Sequence, residues 1–189
     1  SERQRVRKVF IQNGVLKERI YLGAYEIYRE HDNTKLETLH VIDDQQRIAM
    51  VETPDQGSPR YRYQIANHLS SAAIELNEHA ETIRYEEYHP YGTSALRARN
   101  SNIEVSSKRY RYSGMERDEE TELNYHVARY YISWLGRWCS CDPIGIDYDL
   151  NLYCFAYNNS ITNIDIEGKQ GIHFEVGDND DRVLAEASE

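Results

Sequence analysis

The stretch Lys8-Val9-Phe10-Ile11-Gln12-Asn13-Gly14-Val15-Leu16-Lys17-Glu18-Arg19-Ile20-Tyr21-Leu22 sets the fold class. Two runs rich in apolar and β-branched residues flank Asn13-Gly14, the dipeptide that supplies the two positive φ angles of a type I′ turn. A tight β-hairpin is predicted there. The same reading extends downstream: Tyr25–Arg29 and Leu36–Ile42 are predicted strands separated by His31-Asp32-Asn33-Thr34, and Asp43-Asp44-Gln45-Gln46 turns the chain into Arg47–Glu52. Helical periodicity is almost absent. The chain is therefore predicted to be all-β, an antiparallel tyrosine-rich array of hairpins with at most a turn or two of helix.

Composition narrows the function classes. The 189 residues include 22 Lys and Arg against 32 Asp and Glu, a net charge of −10. That excess of carboxylate argues against a general nucleic-acid binder, whose phosphate contacts need clustered cations. No apolar run approaches the length of a membrane-spanning helix, and the basic start Ser1–Lys8 has no signal-peptide apolar stretch behind it. With 16 Tyr and 2 Trp, side chains that bury large areas and keep a polar handle, the core is predicted to be aromatic and partly wet. Cys139, Cys141 and Cys154 form no Cys-x2-Cys pair, and the 7 His are scattered singly. Neither group has metal-ligand spacing, so no metal and no cofactor are expected, and the cysteines are expected to be small buried thiols.

An internal repeat is visible: Arg60-Tyr61-Arg62-Tyr63 returns at Arg109-Tyr110-Arg111-Tyr112. In a strand, such alternation puts both tyrosines on one face and both arginines on the other. The tyrosines are then expected to stack across strands while the arginines face solvent or carboxylates. Thr53–Pro59 reads as a looser segment, Thr93–Ser107 as a polar excursion, and the acidic stretch after Ile172 as a disordered tail.

The run Tyr63-Gln64-Ile65-Ala66-Asn67-His68-Leu69 through Glu75-Leu76-Asn77-Glu78-His79-Ala80 to Tyr88-His89-Pro90-Tyr91-Gly92 resembles the last tyrosine-aspartate (YD) repeat of Rhs-type polymorphic toxins. A second run starts at Lys108-Arg109-Tyr110-Arg111-Tyr112-Ser113-Gly114-Met115-Glu116-Arg117-Asp118. It continues through Ala128-Arg129-Tyr130-Tyr131, Trp134-Leu135-Gly136-Arg137-Trp138, Asp142-Pro143-Ile144-Gly145, Asn151-Leu152-Tyr153 and Asn158-Asn159 to Asp165-Ile166-Glu167-Gly168. This run is similar to the Rhs repeat-associated core domain, also found in the C subunit of insecticidal toxin complexes. The resemblance implies four segments: degenerate YD-like hairpins over 1–59, the last YD-type repeat and polar excursion over 60–107, the core domain over 108–170, and the acidic tail over 171–189. It implies a bacterial β-shell that encapsulates a C-terminal toxin peptide, secreted or displayed at the cell surface when the toxin is complete. Expected partners are the remaining repeats of a longer shell, or a partner shell subunit, and the enclosed toxin peptide, with no nucleic acid and no membrane span. On that footing the chain reads as a fragment, because a hairpin array of this size has too little sheet to enclose a passenger.

The resemblance also implies a site. In the family, two aspartates in Asp-Pro-x-Gly-type motifs form an aspartyl-protease pair that severs the toxin in cis just beyond the second motif, helped by an arginine. Motif matching gives Asp142 and Asp165 as the pair and Arg137 as the arginine, with Gly168 and Lys169 as the cleavage-site region and cleavage expected after about Lys169. Two carboxylates sharing one proton divide the labour: the charged one draws a proton from water, and the protonated one polarises the scissile carbonyl. On residues alone, both aspartates are ordinary turn chemistry and Arg137 beside aromatics is a stacking cation. The match departs from the family at Ile166, where proline is usual, and at Lys169, where an apolar residue is usual. Ser70, Ala80, Glu122, Val127 and Ser160 stand where relatives carry glycine or proline, so strain is expected wherever a turn needs positive φ. Two other readings stay open at this point: a stand-alone β-rich binding or adhesion module, and a non-functional remnant of an Rhs gene.

Overall fold

The computed structural model describes residues 4–32, 34–43, 46–103, 105–146 and 150–169, with the backbone of 172–173. Most of the expected acidic tail, 171–189, lies outside the described residues. Nine strands follow one another in a single antiparallel sheet: β1 (Arg7–Gln12), β2 (Val15–Leu22), β3 (Tyr25–Glu30), β4 (Lys35–Asp43), β5 (Gln46–Pro54), β6 (Arg60–Ala66), β7 (Ala72–Leu76), β8 (Thr82–Tyr88) and β9 (Ser94–Arg99). Neighbours in sequence are neighbours in space throughout. The Asn-Gly hairpin forms as its residues dictate, with Gln12 opposite Val15 and φ of 54° at Asn13 and 79° at Gly14. The polar stretch Thr93–Ser107, expected as an excursion, contributes β9; an edge strand needs few apolar residues, which is why its composition hid it.

Three of the connecting turns share one five-residue design. In Asn67–Ser71, Asn77–Glu81 and His89–Thr93, the first N–H donates to the fifth carbonyl and the fourth N–H donates to the first. The fourth residue is left-handed in each: Ser70 at 58°, Ala80 at 60° and Gly92 at 86°. Asn67 and Asn77 each add a side-chain oxygen that accepts two further amides. Two of the positions expected to demand glycine therefore do demand it conformationally, and so do Glu122 at 62° and Val127 at 47°; Ser160 is not left-handed.

The sheet is inverted in polarity. On one face, Glu26, Glu52, Arg62, Glu75 and Glu86 are each at most 3% exposed, whereas Leu39, Tyr61, Tyr63, Ile65 and Leu96 are 45–51% exposed. The covering layer is the chain after β9. Arg109 reaches Glu26 and Glu116, Ser113 N donates to Ser71 Oγ, and Arg5 and Lys8 clasp Asp118 from the far end of the sheet. The buried carboxylates explain the first Arg-Tyr-Arg-Tyr copy. Arg62 points inward to Glu52 and Glu75, 2.7 Å from each, and Tyr61 and Tyr63 point out. The second copy is not a strand: Tyr112 opens a 3₁₀ turn, Tyr112–Gly114, and is 2% exposed in the core.

The layer itself carries a four-stranded sheet, β10 (Glu116–Arg117), β11 (Asn124–His126), β12 (Arg129–Ile132) and β13 (Arg137–Trp138), then a second 3₁₀ turn, Ala156–Asn158, and the pair β14 (Asn163–Ile164) and β15 (Ile172–His173). Its centre is aromatic. Tyr131 and Phe155 stack with centroids 4.0 Å apart, Trp138 meets both, and Tyr112 closes the cluster. Tyr131 satisfies its hydroxyl on Tyr91 O and Tyr112 on Pro90 O, so both buried tyrosines keep their polar tips paired. Cys139 and Cys141 are exposed and Cys154 is half-buried, so the cysteines are not the buried thiols expected; they sit in the turn beyond β13 and beside its edge. Among the described residues, no helix is long and apolar enough to cross a membrane.

Candidate functional site

The site is laid out on the β11–β12 hairpin. His126 and Arg129 face each other across a two-residue turn, and both point into the aromatic core with Tyr131 and Trp138. Residues 165–169 run along that hairpin and are held by it residue after residue. His126 Nδ1 donates to Asp165 O at 2.5 Å, Ala128 N to Glu167 O at 3.0 Å, and Arg129 Nε to Gly168 O at 2.5 Å. Gly168 is required by this fit: its φ is 68°, and a Cβ would stand 2.5 Å from His126 O.

Asp142 and Asp165, 23 positions apart in sequence, meet on one guanidinium nitrogen. Arg129 Nη2 lies 2.8 Å from Asp142 Oδ2 and 3.2 Å from Asp165 Oδ2. The Asp165 side chain is 2% exposed, and its Oδ1 accepts the amides of Gly168 at 2.8 Å and Lys169 at 3.1 Å. Asp142 arrives differently. Its N–H donates to Leu152 O and its Oδ1 accepts Ile144 N, an Asx turn built by Asp142-Pro143-Ile144, and the carboxylate keeps 19% exposure. One carboxylate is thus enclosed and the other open to water.

The arginine between them is Arg129, with its guanidinium carbon 4.1 Å from the centre of the Trp138 ring. Burial pulls the guanidinium below its ordinary pKa while Asp142 and Asp165 push it back up. Arg137, the arginine expected in this role, is exposed instead and lines an open groove of about 440 Å³ with His89, Trp134 and Tyr153. The sequence held a signal for the difference. Arg129 sits two residues before Tyr131 on a strand, so it shares the inward face, and an inward arginine must find carboxylates. His126 was also missed; burial lowers its pKa to about 4, so the ring is neutral and Nδ1 carries the donated proton. Among the described residues, no group of three or more His, Cys, Asp or Glu is placed to hold a metal ion.

With this geometry in view, the chain can be set beside known proteins. It is 37% identical over 179 residues to the toxin subunit YenC1 of Yersinia entomophaga, which covers 87% of the chain and 18% of YenC1. Its fold superposes on the crystal structure of TcdB2-TccC3 with a TM-score of 0.80 at 33% identity, over 88% of this chain and 9% of that one. The chain belongs to the Rhs-type toxin family. A second toxin subunit, YenC2 of the same organism, is 43% identical over 107 residues, 57% of the chain and 11% of YenC2. The Rhs-type chain thus spans less than a fifth of the length of the toxin subunits it matches. No protein-family model matches it. The all-β antiparallel architecture is that of these Rhs-type shells.

Proposed function

We propose that the chain is the C-terminal shell and core segment of an Rhs-type toxin subunit, which helps to encapsulate a downstream toxin peptide and severs it in cis between Gly168 and Lys169. In this reading the rest of the shell comes from further repeats or a partner subunit, and the assembled toxin is secreted or surface-bound. The observation that carries it is the triple engagement of Arg129 with Asp142, Asp165 and the Gly168 carbonyl.

The chemistry follows from that arrangement. Arg129 Nε polarises the Gly168 carbonyl and meets the charge that develops on its oxygen. Asp142, the carboxylate with solvent access, draws a proton from a water that attacks the carbonyl carbon. Asp165, enclosed and holding the Gly168 and Lys169 amides on Oδ1, fixes the scissile peptide, and the proton that Asp142 takes from the water is the one returned to Lys169 N as the bond breaks. The peptide C–N bond breaks, leaving a carboxylate on Gly168 and an amine on Lys169. The division of roles therefore differs from the one expected from sequence, because an arginine rather than a carboxylic acid polarises the carbonyl. Lys169 is compatible with it: Nζ pairs outward with Glu167 at 3.2 Å, away from the enclosed carboxylate.

A second reading, a decayed copy that no longer cleaves, draws on the side chains present at Ser70, Ala80, Glu122 and Val127, all at positive φ. The two are separated by expressing the chain with a tag beyond Glu189 and following release of the tagged piece. Asp142→Asn, Asp165→Asn and Arg129→Gln are each expected to abolish release; release indifferent to all three would refute the proposal. A wild-type chain that releases nothing, but does so once Ile166→Pro and Lys169→Leu are introduced, marks the decayed copy.

A further inference from the structure

We propose that His126 is the positioning residue of the cleavage turn, holding Asp165 by its main chain so that both carboxylate oxygens stay available to Arg129 and to the Gly168 and Lys169 amides. This inference rests on the self-cleavage reading of the same site. Asp165 has no helix or long strand to fix it; β14 ends one residue before it. Something must set the direction of its side chain. Arg129 holds Oδ2, and the Gly168 and Lys169 amides hold Oδ1, but those amides belong to the same turn and move with it.

His126 anchors the turn from outside it, at the Asp165 main chain. A carbonyl oxygen only accepts, so the 2.5 Å contact makes Nδ1 the donor and fixes the tautomer. The ring cannot turn away from that bond. It is fully buried and wedged edge-on against Trp138 at 5.1 Å, Tyr131 at 5.9 Å and Phe155 at 6.1 Å. The backbone of the same residue abuts Gly168, and the next two residues but one hold Glu167 O and Gly168 O. His126 is therefore where the aromatic core is mechanically coupled to the catalytic turn. It does not touch the scissile bond's atoms and acts through Asp165.

The charged and titratable groups packed around the ring are Arg129 across the hairpin, Asp165 by its carbonyl, and Tyr131. Replacement should separate the hydrogen bond from the volume of the ring. Asparagine places an amide N–H near the position of Nδ1 but underfills the aromatic cage. Phenylalanine fills the cage and donates nothing.

The test compares H126N and H126F in the chain tagged beyond Glu189, reading first-order release and melting temperature together. Release in H126N within about threefold of wild type, with at least a tenfold loss in H126F despite the higher melting temperature of the latter, is expected. Release that instead follows melting temperature, H126F faster than H126N, would overturn the proposal and leave His126 as core filling. A second readout is independent of cleavage: ¹⁵N spectra of the imidazole and of the Gly168 and Lys169 amides. Nδ1 protonated in wild type, with both amides shifted in H126F and unshifted in H126N, supports the inference even where Asp142→Asn shows that no cleavage occurs. Nδ1 bare, or the amides unmoved by H126F, refutes it without touching the self-cleavage reading.

Discussion

The nine-stranded sheet and the layer that covers it are built on opposite principles. Beside a few buried apolar residues such as Met50 and Ile83, the sheet buries charge, with Arg62 between Glu52 and Glu75 and Glu86 among Arg97, Lys108 and Arg111. Where the covering layer is buried it is aromatic, with Tyr112, Tyr131, Trp138 and Phe155 in one cluster. Charged pairs are directional and cost much to leave incomplete, so they fix how the strands line up against the layer. Aromatic packing is stiff, which suits a surface that must hold Asp142, Asp165 and Arg129 in one geometry. The difference teaches that the sheet provides register and the layer provides the site.

The contrast is most easily broken at Arg62. Arg62→Ala leaves two buried carboxylates without their cation and is expected to cost about 3–5 kcal/mol in urea unfolding. Replacing Arg62, Glu52 and Glu75 together by Met, Gln and Gln should recover most of that loss, since the penalty lies in the unpaired charges. A triple variant as unstable as the single one would show that packing, and not charge, decides this region.

Acid should take the two regions apart in order. His126 has a pKa of about 4 in the fold against an ordinary 6.5, so the unfolded chain binds its proton first. Its contribution is complete above pH 6.5 and is lost as pH falls toward 4, about 3 kcal/mol in all. Glu26 and Glu86 are held below their ordinary value by neighbouring cations, although burial alone would raise them. Their contribution persists down to about pH 4.5 and fades only below it. Near-ultraviolet signals from the aromatic layer should therefore weaken between pH 6.5 and 4 before far-ultraviolet strand signal declines. Simultaneous loss of both would contradict the division.

How much of this was legible in the sequence depends on what kind of feature is asked about. Asn13-Gly14 announces its hairpin because the turn is chosen by two residues alone, whereas Asp142 and Asp165 are singled out only by the resemblance of their motifs to the Rhs core, since on residues alone both are turn aspartates. The polarity of the sheet was not legible from alternation. Arg60-Tyr61-Arg62-Tyr63 says that arginines and tyrosines part company, and only the acidic residues of neighbouring strands, Glu52 and Glu75, decide that the arginine goes inside. Arg129 and Arg137 pose the same difficulty: both sit among aromatics, and the strand face, not the neighbour in sequence, decides that Arg129 is the one that meets Asp142 and Asp165.

Smaller effects sharpen the picture. Phe155→Leu removes the ring stacked on Tyr131 at 4.0 Å and is expected to cost about 2 kcal/mol, while slowing cleavage more than a sheet variant of equal cost would. Val127→Gly relieves a β-branched residue at φ 47° and should stabilise the chain by about 1 kcal/mol in thermal unfolding. No gain there would mean the turn relaxes its strain elsewhere.

The most direct measurement is the intact mass of both pieces of the tagged chain after release, run in ordinary and in ¹⁸O-labelled water. The account requires a released piece that begins with Lys169, a retained piece that ends at Gly168, one water added in total, and the label found only in the Gly168 carboxylate. A piece that begins at any other residue, or release that persists in the Asp142→Asn and Asp165→Asn chains, would contradict it.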